Sequence, residues 1–470
     1  MNKLLVWRPL RHCWLTLLLL TGCASQLEHS NQSSGQPKVQ QLAAAAQVHV
    51  APLDPALRQA VQTEVQQLLQ TELSLSTVAK IAVLNNAAFQ AQLARLQLSE
   101  ATLQQAGLLP NPGLRLIRSK TAAGYETELD VSFDLFALLF RPAELVIADH
   151  QAQQQQLQVA LQLVDLLSQS RGAWVEAVVA EQQLQYLTQV QQAIDASAEL
   201  AVRMYQAGNY SALQQARAQK FAAEVALQLA QAQQQQIRSR ERLFRLLGLW
   251  GEQLTIQLPA QLPAIPATLA AVDDAEQQAL QQRLDLQLVK AQLAQQSAQL
   301  KLTGHSRFLR GLSLEVEGSV QHSDSRAVAI GIELPLFDQH QARMSQAEAR
   351  YLQAYWQAQA LAVQARSEVR ESYALLQSQH QIALHYQQQL LPLAKKINAE
   401  NVLRYNGMLI GVFELIADTQ AQVATVLGQF QAQRNFALAQ LQFEQSLLGS
   451  PAIAAALSES PPAAAAAVGH

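Results

Sequence analysis

An internal repeat is the feature of this sequence that most restricts its fold. Three short segments of the first half recur about 200 residues later, in the same order: 134–136 at 335–337, 205–208 at 405–408, and 246–248 at 447–449. Solenoid repeats recur every roughly 20–50 residues, so this longer spacing indicates one unit that has been duplicated. We therefore expect both halves of the chain to fold in the same way.

Composition divides the chain around these two repeats. The segment 259–266 holds three prolines in eight residues and is the natural junction between the halves. The predicted division is a signal segment (1–22), an anchored leash (23–70), the first repeat (71–257), a Pro-rich junction (258–272), the second repeat (273–449) and a disordered tail (450–470).

Each half is predicted to be mainly helical with a small β part. A helix comes first (about 75–106 and about 273–303), followed by two strands and a very long helix. A turn then leads into a returning helix. From about Pro142 to Tyr205 the chain has no internal proline and one glycine, Gly172. A helix of that length is on the order of 90 Å long.

The predicted strands alternate strictly between apolar and polar residues. The apolar positions of three strands are Tyr125, Thr127, Leu129, Val131, Phe133 and Leu135; Leu312, Leu314, Val316, Gly318 and Val320; and Val328, Ile330, Ile332, Leu334 and Leu336. Polar residues, most of them carboxylates, occupy the intervening positions of the first two of these strands, and only the strand near Leu114 and Leu116 is irregular. The pattern is typical of a transmembrane barrel with lipid outside and water inside. A half-buried soluble sheet is the alternative.

The long helices carry a seven-residue repeat of apolar and small residues. In the first half it comprises Ala180, Leu184, Leu187, Gln191, Ile194, Ala198, Ala201 and Tyr205, and in the second half Val412, Ile416, Thr419, Val423, Val426 and Phe430. Such spacing predicts a coiled-coil contact, and the alanines allow close approach of the helices.

The N-terminus resembles a lipoprotein signal. Basic residues precede an apolar run from Cys13 to Leu20, which continues into Leu20-Thr21-Gly22-Cys23. This end of the run resembles a lipobox, which implies a covalent lipid on Cys23; a general secretion signal is the alternative. Ala24 follows where an Asp would resemble an inner-membrane retention signal, so we expect anchoring in the outer membrane. Cys23 would be the only cysteine left, which excludes an internal disulfide.

Charge and motifs exclude several functions. The net charge is −3, and loss of the basic signal residues would make it more negative, so no basic stripe favours nucleic acid. No catalytic triad order, HExxH, P-loop or paired-cysteine site is present, and we expect neither an enzyme nor a cofactor. His380 and His385 are five residues apart on a helix and do not share a face as metal ligands would. Met204 and Met408 lie at the predicted turns, and packing in a crowded turn explains them more simply than binding of soft metal ions does.

Four strands in one chain cannot close a barrel, and open strand edges are not tolerated in lipid. If the strands are transmembrane, several chains must each donate four. The polar faces would then line a shared lumen, which the helical hairpins would continue as a tube.

Three further segments resemble the TolC-like outer-membrane efflux family, in its acylated branch: 108–112 before the first strand, 334–338 after the last, and 404–415. The resemblance extends from about residue 70 to 449. It implies a homotrimer with a 12-stranded β-barrel, continued by an α-helical coiled-coil barrel in the periplasm. It also implies a periplasmic adaptor protein and an inner-membrane pump as partners, and passive conduction of drugs or metal ions.

The two turns are the predicted periplasmic tip, with Tyr205, Gly208 and Asn209 in the first, and Tyr405, Gly407 and Gly411 in the second. Glycine and Asn are expected to allow the chain to reverse. By position, Glu414 matches an acidic site of the family that faces the pore, and three copies would form a gate ring. Many relatives have a second acid where this chain has Ala417. Asp418 beside it is the second gate candidate, and it could instead point to a neighbouring helix.

A tethered periplasmic coiled-coil adaptor or scaffold without a pore is the main competing function. Such a protein should lack period-two strands that carry carboxylates on one face. A lipoprotein hydrolase would need a nucleophile and a base, which the sequence does not supply. The segment 133–142 weakly resembles members linked to metal-ion efflux. A passive duct does not select its substrate by a binding pocket, so the sequence does not identify the substrate.

Overall fold

The computed structural model describes residues 55–121, 124–270, 274–306, 312–319, 326–333 and 337–449. The signal segment, Cys23 and the tail from 450 to 470 lie outside the described residues. So does the segment 334–336 that contributed to the sequence resemblance.

The first half contains five helices and two strands among its described residues. Their bounds are α1 Pro55–Leu69, α2 Leu75–Asn85, α3 Ala87–Gly107, β1 Gly113–Thr121, β2 Gly124–Asp134, α4 Leu135–Gln206 and α5 Ala212–Leu247. A short 3₁₀ turn, Gly251–Leu254, leads into the Pro-rich junction.

The second half has the same order of elements, starting from the two helices that correspond to α2 and α3. Its elements are α6 Ala275–Gln282, α7 Leu284–Ser306, β3 Ser313–Ser319, β4 Arg326–Gly331, α8 Gln341–His385, a π-helical turn Tyr386–Leu390, α9 Leu391–Asn406 and α10 Val412–Leu448. The predicted sequence of helix, two strands, long helix, turn and returning helix is therefore present twice.

Two boundaries differ from the prediction. Residues 55–69, assigned to the leash, form α1, because Val61, Val65 and Leu69 at four-residue spacing turn one apolar face into the core. The long helix starts at Leu135 rather than at Pro142, so it has 72 residues and a length of about 108 Å. The carboxylate of Asp134 caps it by accepting a 2.8 Å hydrogen bond from the Ala137 N–H, which ends the strand before Leu135.

The predicted coiled-coil contact on α4 is confirmed. Ala180, Leu187, Ile194 and Ala201 are all buried on the predicted face of the helix. Leu187 packs with residues of both returning helices, α5 and α10, and Ile194 packs against α5. These contacts hold the two hairpins side by side over much of their length.

The first predicted helix of each half is interrupted. A side chain at each interruption caps the C-terminal end of the returning helix of the same half. Near the break between α2 and α3, the amide of Asn85 donates 2.9 Å hydrogen bonds to the carbonyls of Leu247 and Gly248 at the end of α5. Near the break between α6 and α7, the guanidinium of Arg283 donates a 3.0 Å hydrogen bond to the carbonyl of Ser446 near the end of α10. The last carbonyls of a helix have no partner within it, so these side chains satisfy them.

Arg283 is the centre of a buried ion network. Its guanidinium lies 2.6 Å from the carboxylate of Asp285 and 2.8 Å from that of Glu368, and both Arg283 and Asp285 are fully buried. Burial alone would lower the pKa of Arg283, but the two carboxylates outweigh this and raise it. A Cβ on Gly449 would lie 3.2 Å from the Asp285 carboxylate, so the last residue before the tail is also fitted to this network.

The Arg283→Met variant is expected to lose about 3–5 kcal/mol of unfolding free energy, because it removes a buried guanidinium from two carboxylates. Arg370→Met is the matched control, since Arg370 forms a 3.5 Å pair with Glu276 in which both side chains are solvent-exposed. The control should change stability by no more than about 1 kcal/mol. Denaturant unfolding followed by circular dichroism measures both, and equal losses would contradict a special role for Arg283.

Candidate functional site

The four strands form one antiparallel sheet in the order β1-β2-β3-β4. By register, the ends of β1 and β3 and the starts of β2 and β4 lie at one end of the sheet, called the hairpin end, and the long helices α4 and α8 follow the strands at the other end. Strands β1 and β4 are the edges of the sheet within this chain. Each edge strand therefore presents backbone N–H and C=O groups that no strand of the same chain pairs.

One face of the sheet is polar and acidic. The register places Arg115 of β1 opposite Asp130 of β2, and Asp130 opposite Glu317 of β3. Glu128 and Glu315 lie on the same face, one register position to either side. Arg115 and Asp130 approach to 3.9 Å, and the Asp130 carboxylate is buried. Carboxylates thus outnumber basic groups on this face among the described residues.

The opposite face is apolar and exposed. Its most exposed side chains include Leu114, Leu116, Val328 and Ile330, each with about 67–73% of its surface accessible. The alternation predicted for β2 and β3 is confirmed over the described residues, and β1, predicted to be irregular, takes part in the same face. In β4 only Val328 and Ile330 of the predicted positions lie in the strand, because it ends at Gly331 and Ile332 follows it. An apolar surface of this extent is covered by lipid or by another protein when the protein functions.

Further exposed apolar side chains flank the sheet at the end where the helices begin. They are Leu108 and Leu109 before β1, Leu138 and Leu139 in the first turns of α4, and Phe337 after β4. Apolar exposure therefore extends beyond the strands at this end. At the hairpin end it stops earlier, because basic and polar residues follow Leu116 in β1.

The two predicted tip turns lie at the far ends of the long helices and share one geometry. In the first, the Asn209 N–H donates to the Met204 carbonyl (2.9 Å) and the Gly208 N–H donates to the Tyr205 carbonyl (2.9 Å). In the second, Leu409 and Met408 donate to Arg404 and Tyr405 in the same pattern, at 2.9 and 3.0 Å. This pair of hydrogen bonds is the Schellman motif, which requires a left-handed residue just past the helix end.

That left-handed residue is glycine in one turn and methionine in the other. Gly208 has φ +78°, whereas the residue at the equivalent repeat position, Met408, has φ +59°. Gly407 and Gly411, expected to allow the second reversal, have φ −79° and −84° instead. The side chain of Met408 is 94% exposed, so the strained backbone presents an apolar group at the tip.

The returning helices also begin differently. Ser211 caps α5 with a capping box, in which its hydroxyl accepts from the Gln214 N–H and the Gln214 side chain accepts from the Ser211 N–H. Gly411 at the start of α10 offers no side-chain cap. Glu414 matches Gln214 in the repeat and lies exposed in the first turn, where the helix dipole favours a negative charge.

Asp418 contacts a neighbouring helix of its own hairpin. Its carboxylate accepts a hydrogen bond from the side-chain amide of Asn401 on α9, and Asn401 is buried. The equivalent positions of the first half are Ala201 and Ala218, which are also buried. Sequence reasoning did not single out Asn401, although the replacement of an alanine at the repeat position was a visible signal. Whether Asp418 also faces a pore stays a prediction.

The tyrosines of the two turns connect them to each other. Burial raises the pKa of the Tyr210 phenol, and the Tyr405 phenol in hydrogen-bonding contact with it raises that pKa further. Tyr210 did not figure in the sequence prediction, which placed Tyr205 and Tyr405 at the tip. Tyr205 itself is 43% exposed. The two turns therefore bring Tyr210 and Tyr405 close to each other.

The described part of the chain contains no cluster of three or more His, Cys, Asp or Glu side chains that could hold a metal ion. Within the same ranges, no helix is both long and apolar enough to span a membrane. The buried His380 ring nitrogen lies 2.7 Å from the carbonyl of Pro266, which ties the Pro-rich junction to α8.

No family model matches the chain, and no curated protein matches it in sequence. Several solved structures match its fold. The outer-membrane channel OprN is 17% identical with a TM-score of 0.68, over 87% of this chain and 95% of OprN. The outer-membrane protein VceC of Vibrio cholerae is 17% identical with a TM-score of 0.65, over 83% of this chain and 96% of VceC. The open MtrE outer-membrane channel of Neisseria gonorrhoeae is 17% identical with a TM-score of 0.65, over 80% and 89% of the two chains.

These matches show that the chain has the TolC-like fold of the outer-membrane channels. The fold that the sequence resemblance implied is thereby confirmed for the single chain.

Exchange of the left-handed residues between the turns tests the strain at the tip. Met408→Gly is expected to stabilise the second hairpin by about 1 kcal/mol, and Gly208→Met to destabilise the first by about as much, because a side chain disfavours left-handed backbone. Hydrogen exchange of the Leu409 and Asn209 amides reports each turn separately. Protection that changes in the same direction in both variants would contradict this account.

Proposed function

We propose that the chain is the outer-membrane channel of a tripartite efflux system and conducts exported drugs or metal ions passively to the exterior. One observation carries this proposal: a four-stranded sheet has an exposed apolar face, an acidic opposite face, and two edges that are unpaired within the chain. In a bilayer the apolar face would contact lipid, and the acidic face would line water. The match to outer-membrane channels in fold supports the same reading.

Three chains would close the barrel. Strand β1 runs toward the hairpin end and β4 runs away from it, so β4 of one chain can pair antiparallel with β1 of the next. Three sheets of four strands give a closed barrel with an even number of antiparallel strands. Closure would satisfy every edge, which lipid requires.

The helices would continue the lumen through the periplasm. A 72-residue α4 is on the order of 108 Å long, and the coiled-coil contacts keep both hairpins aligned along it. In the assembly, the tip turns would meet a periplasmic adaptor, which in turn contacts the inner-membrane pump. Met408 and Leu409 are exposed apolar groups at the tip that such a partner would cover.

A covalent lipid on Cys23 would add a second attachment to the outer membrane. The barrel would hold the protein in the bilayer by itself, and the leash between Cys23 and α1 has more than 30 residues. The anchor is therefore a tether beside the barrel rather than the sole means of attachment.

Opening would involve the second hairpin more than the first. The uncapped N-terminus of α10, the strained Met408 and the π-helical turn Tyr386–Leu390 all belong to this hairpin. Gly428 of α10 faces the turn, and a Cβ there would lie 2.8 Å from the Tyr386 hydroxyl. A π-helical turn inside a long helix commonly marks a functional position. Adaptor contacts at the tip would pull this hairpin outward, about the π-helical turn.

Glu414 and Asp418 would have different parts in the gate. Three copies of the exposed Glu414 would form a ring that attracts cations and repels itself. Asp418, bound to Asn401, would hold α10 against α9 in the closed hairpin.

A tethered periplasmic scaffold is the competing function. A scaffold function does not explain why the sheet has an exposed apolar face on one side and carboxylates on the other. A scaffold would leave the apolar face in water, at a large hydrophobic cost.

Channel recording in planar bilayers tests the proposal. The purified protein is expected to insert as trimers that conduct with a preference for cations. Glu414→Ala should reduce that preference and make closure more frequent, because the charge ring at the entrance is lost. Glu224→Ala is the matched control, since it removes an exposed carboxylate of the first hairpin that is paired with Lys220 at 2.9 Å.

The control should behave like the wild type. If Glu414→Ala retains the wild-type cation preference and closure, Glu414 is not part of the gate. If the wild-type protein neither inserts nor conducts, the scaffold function is correct.

A further inference from the structure

Basic residues interrupt the apolar face of the sheet at its hairpin end: by register Arg326 of β4 lies on this face, and so do Arg118 and Lys120 of β1. Arg118 and Lys120 alternate in step with Leu114 and Leu116, so all four lie on the same face of β1. Both basic side chains are exposed. At about 3.3 Å per residue, they lie about 13 and 20 Å along the strand from Leu114.

No carboxylate lies on this face among the described strand residues. Arg118 has Thr127 as its cross-strand neighbour and Lys120 has Tyr125. The strand carboxylates, including Asp130 and Glu317, belong to the opposite face. Arg115 differs in this respect, because it lies on the acidic face beside Asp130. The positive charge of Arg118 and Lys120 is therefore not neutralised within the sheet.

Tyr125 marks the boundary at which these residues lie. The Arg118 guanidinium lies 4.7 Å from the centre of the Tyr125 ring, and Tyr125 is 58% exposed. Tyrosine is enriched where a membrane protein passes from hydrocarbon to head groups. A basic residue at the midplane of a bilayer costs about 2–4 kcal/mol, whereas near the interface the cost falls to about 0–1 kcal/mol. Charge, aromatic ring and position together indicate the head-group layer.

We propose that Arg118 and Lys120 form a binding surface for the phosphate groups of outer-leaflet lipids, repeated three times around the barrel. This inference rests on the proposed barrel, in which the hairpin end faces the cell exterior. Phosphate complements these two basic side chains because it is anionic and lies in the head-group layer. The guanidinium group of an arginine can also bind a phosphate through two hydrogen bonds. Lys120 adds a point charge one register position further out.

The test compares vesicles of phosphatidylcholine that contain lipid A with vesicles that contain dephosphorylated lipid A. The full-length protein is reconstituted into both, and the temperature at which the trimer dissociates is measured. The phosphorylated lipid is expected to raise this temperature for the wild-type protein, and the dephosphorylated lipid is not. The double variant Arg118→Gln/Lys120→Gln should lose the rise while keeping wild-type conductance.

Arg115→Gln is the matched control, because it removes a basic residue from the same strand but from the opposite face. It should keep the full rise in dissociation temperature. A rise that persists in the double variant, or one that Arg115→Gln abolishes equally, would overturn the binding surface. These results differ from a failure of the proposed function, in which the wild-type protein would neither insert nor conduct in any vesicle.

Discussion

Unpaired strand edges are the constraint on which the rest of this structure depends. A sheet of four strands with an exposed apolar face is unstable alone in water, and its open edges are unstable in lipid. Antiparallel order leaves β1 and β4 with opposite directions, so in the proposed trimer the open edges of neighbouring copies would pair with each other. The proposed trimer, lumen and helical tube all follow from this arrangement.

The duplication creates two hairpins of one design, and substitutions then make them different. Ala201 and Ala218 pack tightly in the first hairpin, while Asn401 and Asp418 replace them with a hydrogen bond in the second. Glycine at the left-handed turn position becomes Met408, and the capping residue Ser211 becomes Gly411. Each change weakens or polarises the second hairpin. In the proposed channel, the same repeated unit thus gives a first hairpin that stays in place and a second hairpin that moves.

The sequence predicted the fold well where a periodic pattern was long. Alternation over β2 and the heptads of α4 each rest on many residues, and both are found in the structure. Boundaries and special backbone positions were predicted less well, because single residues decide them. Asp134 ends a strand by capping a helix, although its alternation fits the strand. Met408 takes a left-handed conformation that the nearby Gly407 could adopt at lower cost. Contacts such as Asn401 with Asp418 and Tyr210 with Tyr405 depend on how helices and turns pack, which no local pattern encodes.

Disulfide cross-linking between the edge strands tests the central claim most directly. Cysteine is placed at Ile117 on the acidic face of β1 and, in separate variants, at Ala327, Ala329 or Gly331 on the same face of β4. The positive control is a cysteine pair at Ser132 and Glu315, which are register partners within one chain. If β1 and β4 of neighbouring chains pair, one of the three β4 positions will yield covalent dimers and trimers in membranes. Formation of the control disulfide without any link between chains would contradict a barrel closed by β1 and β4.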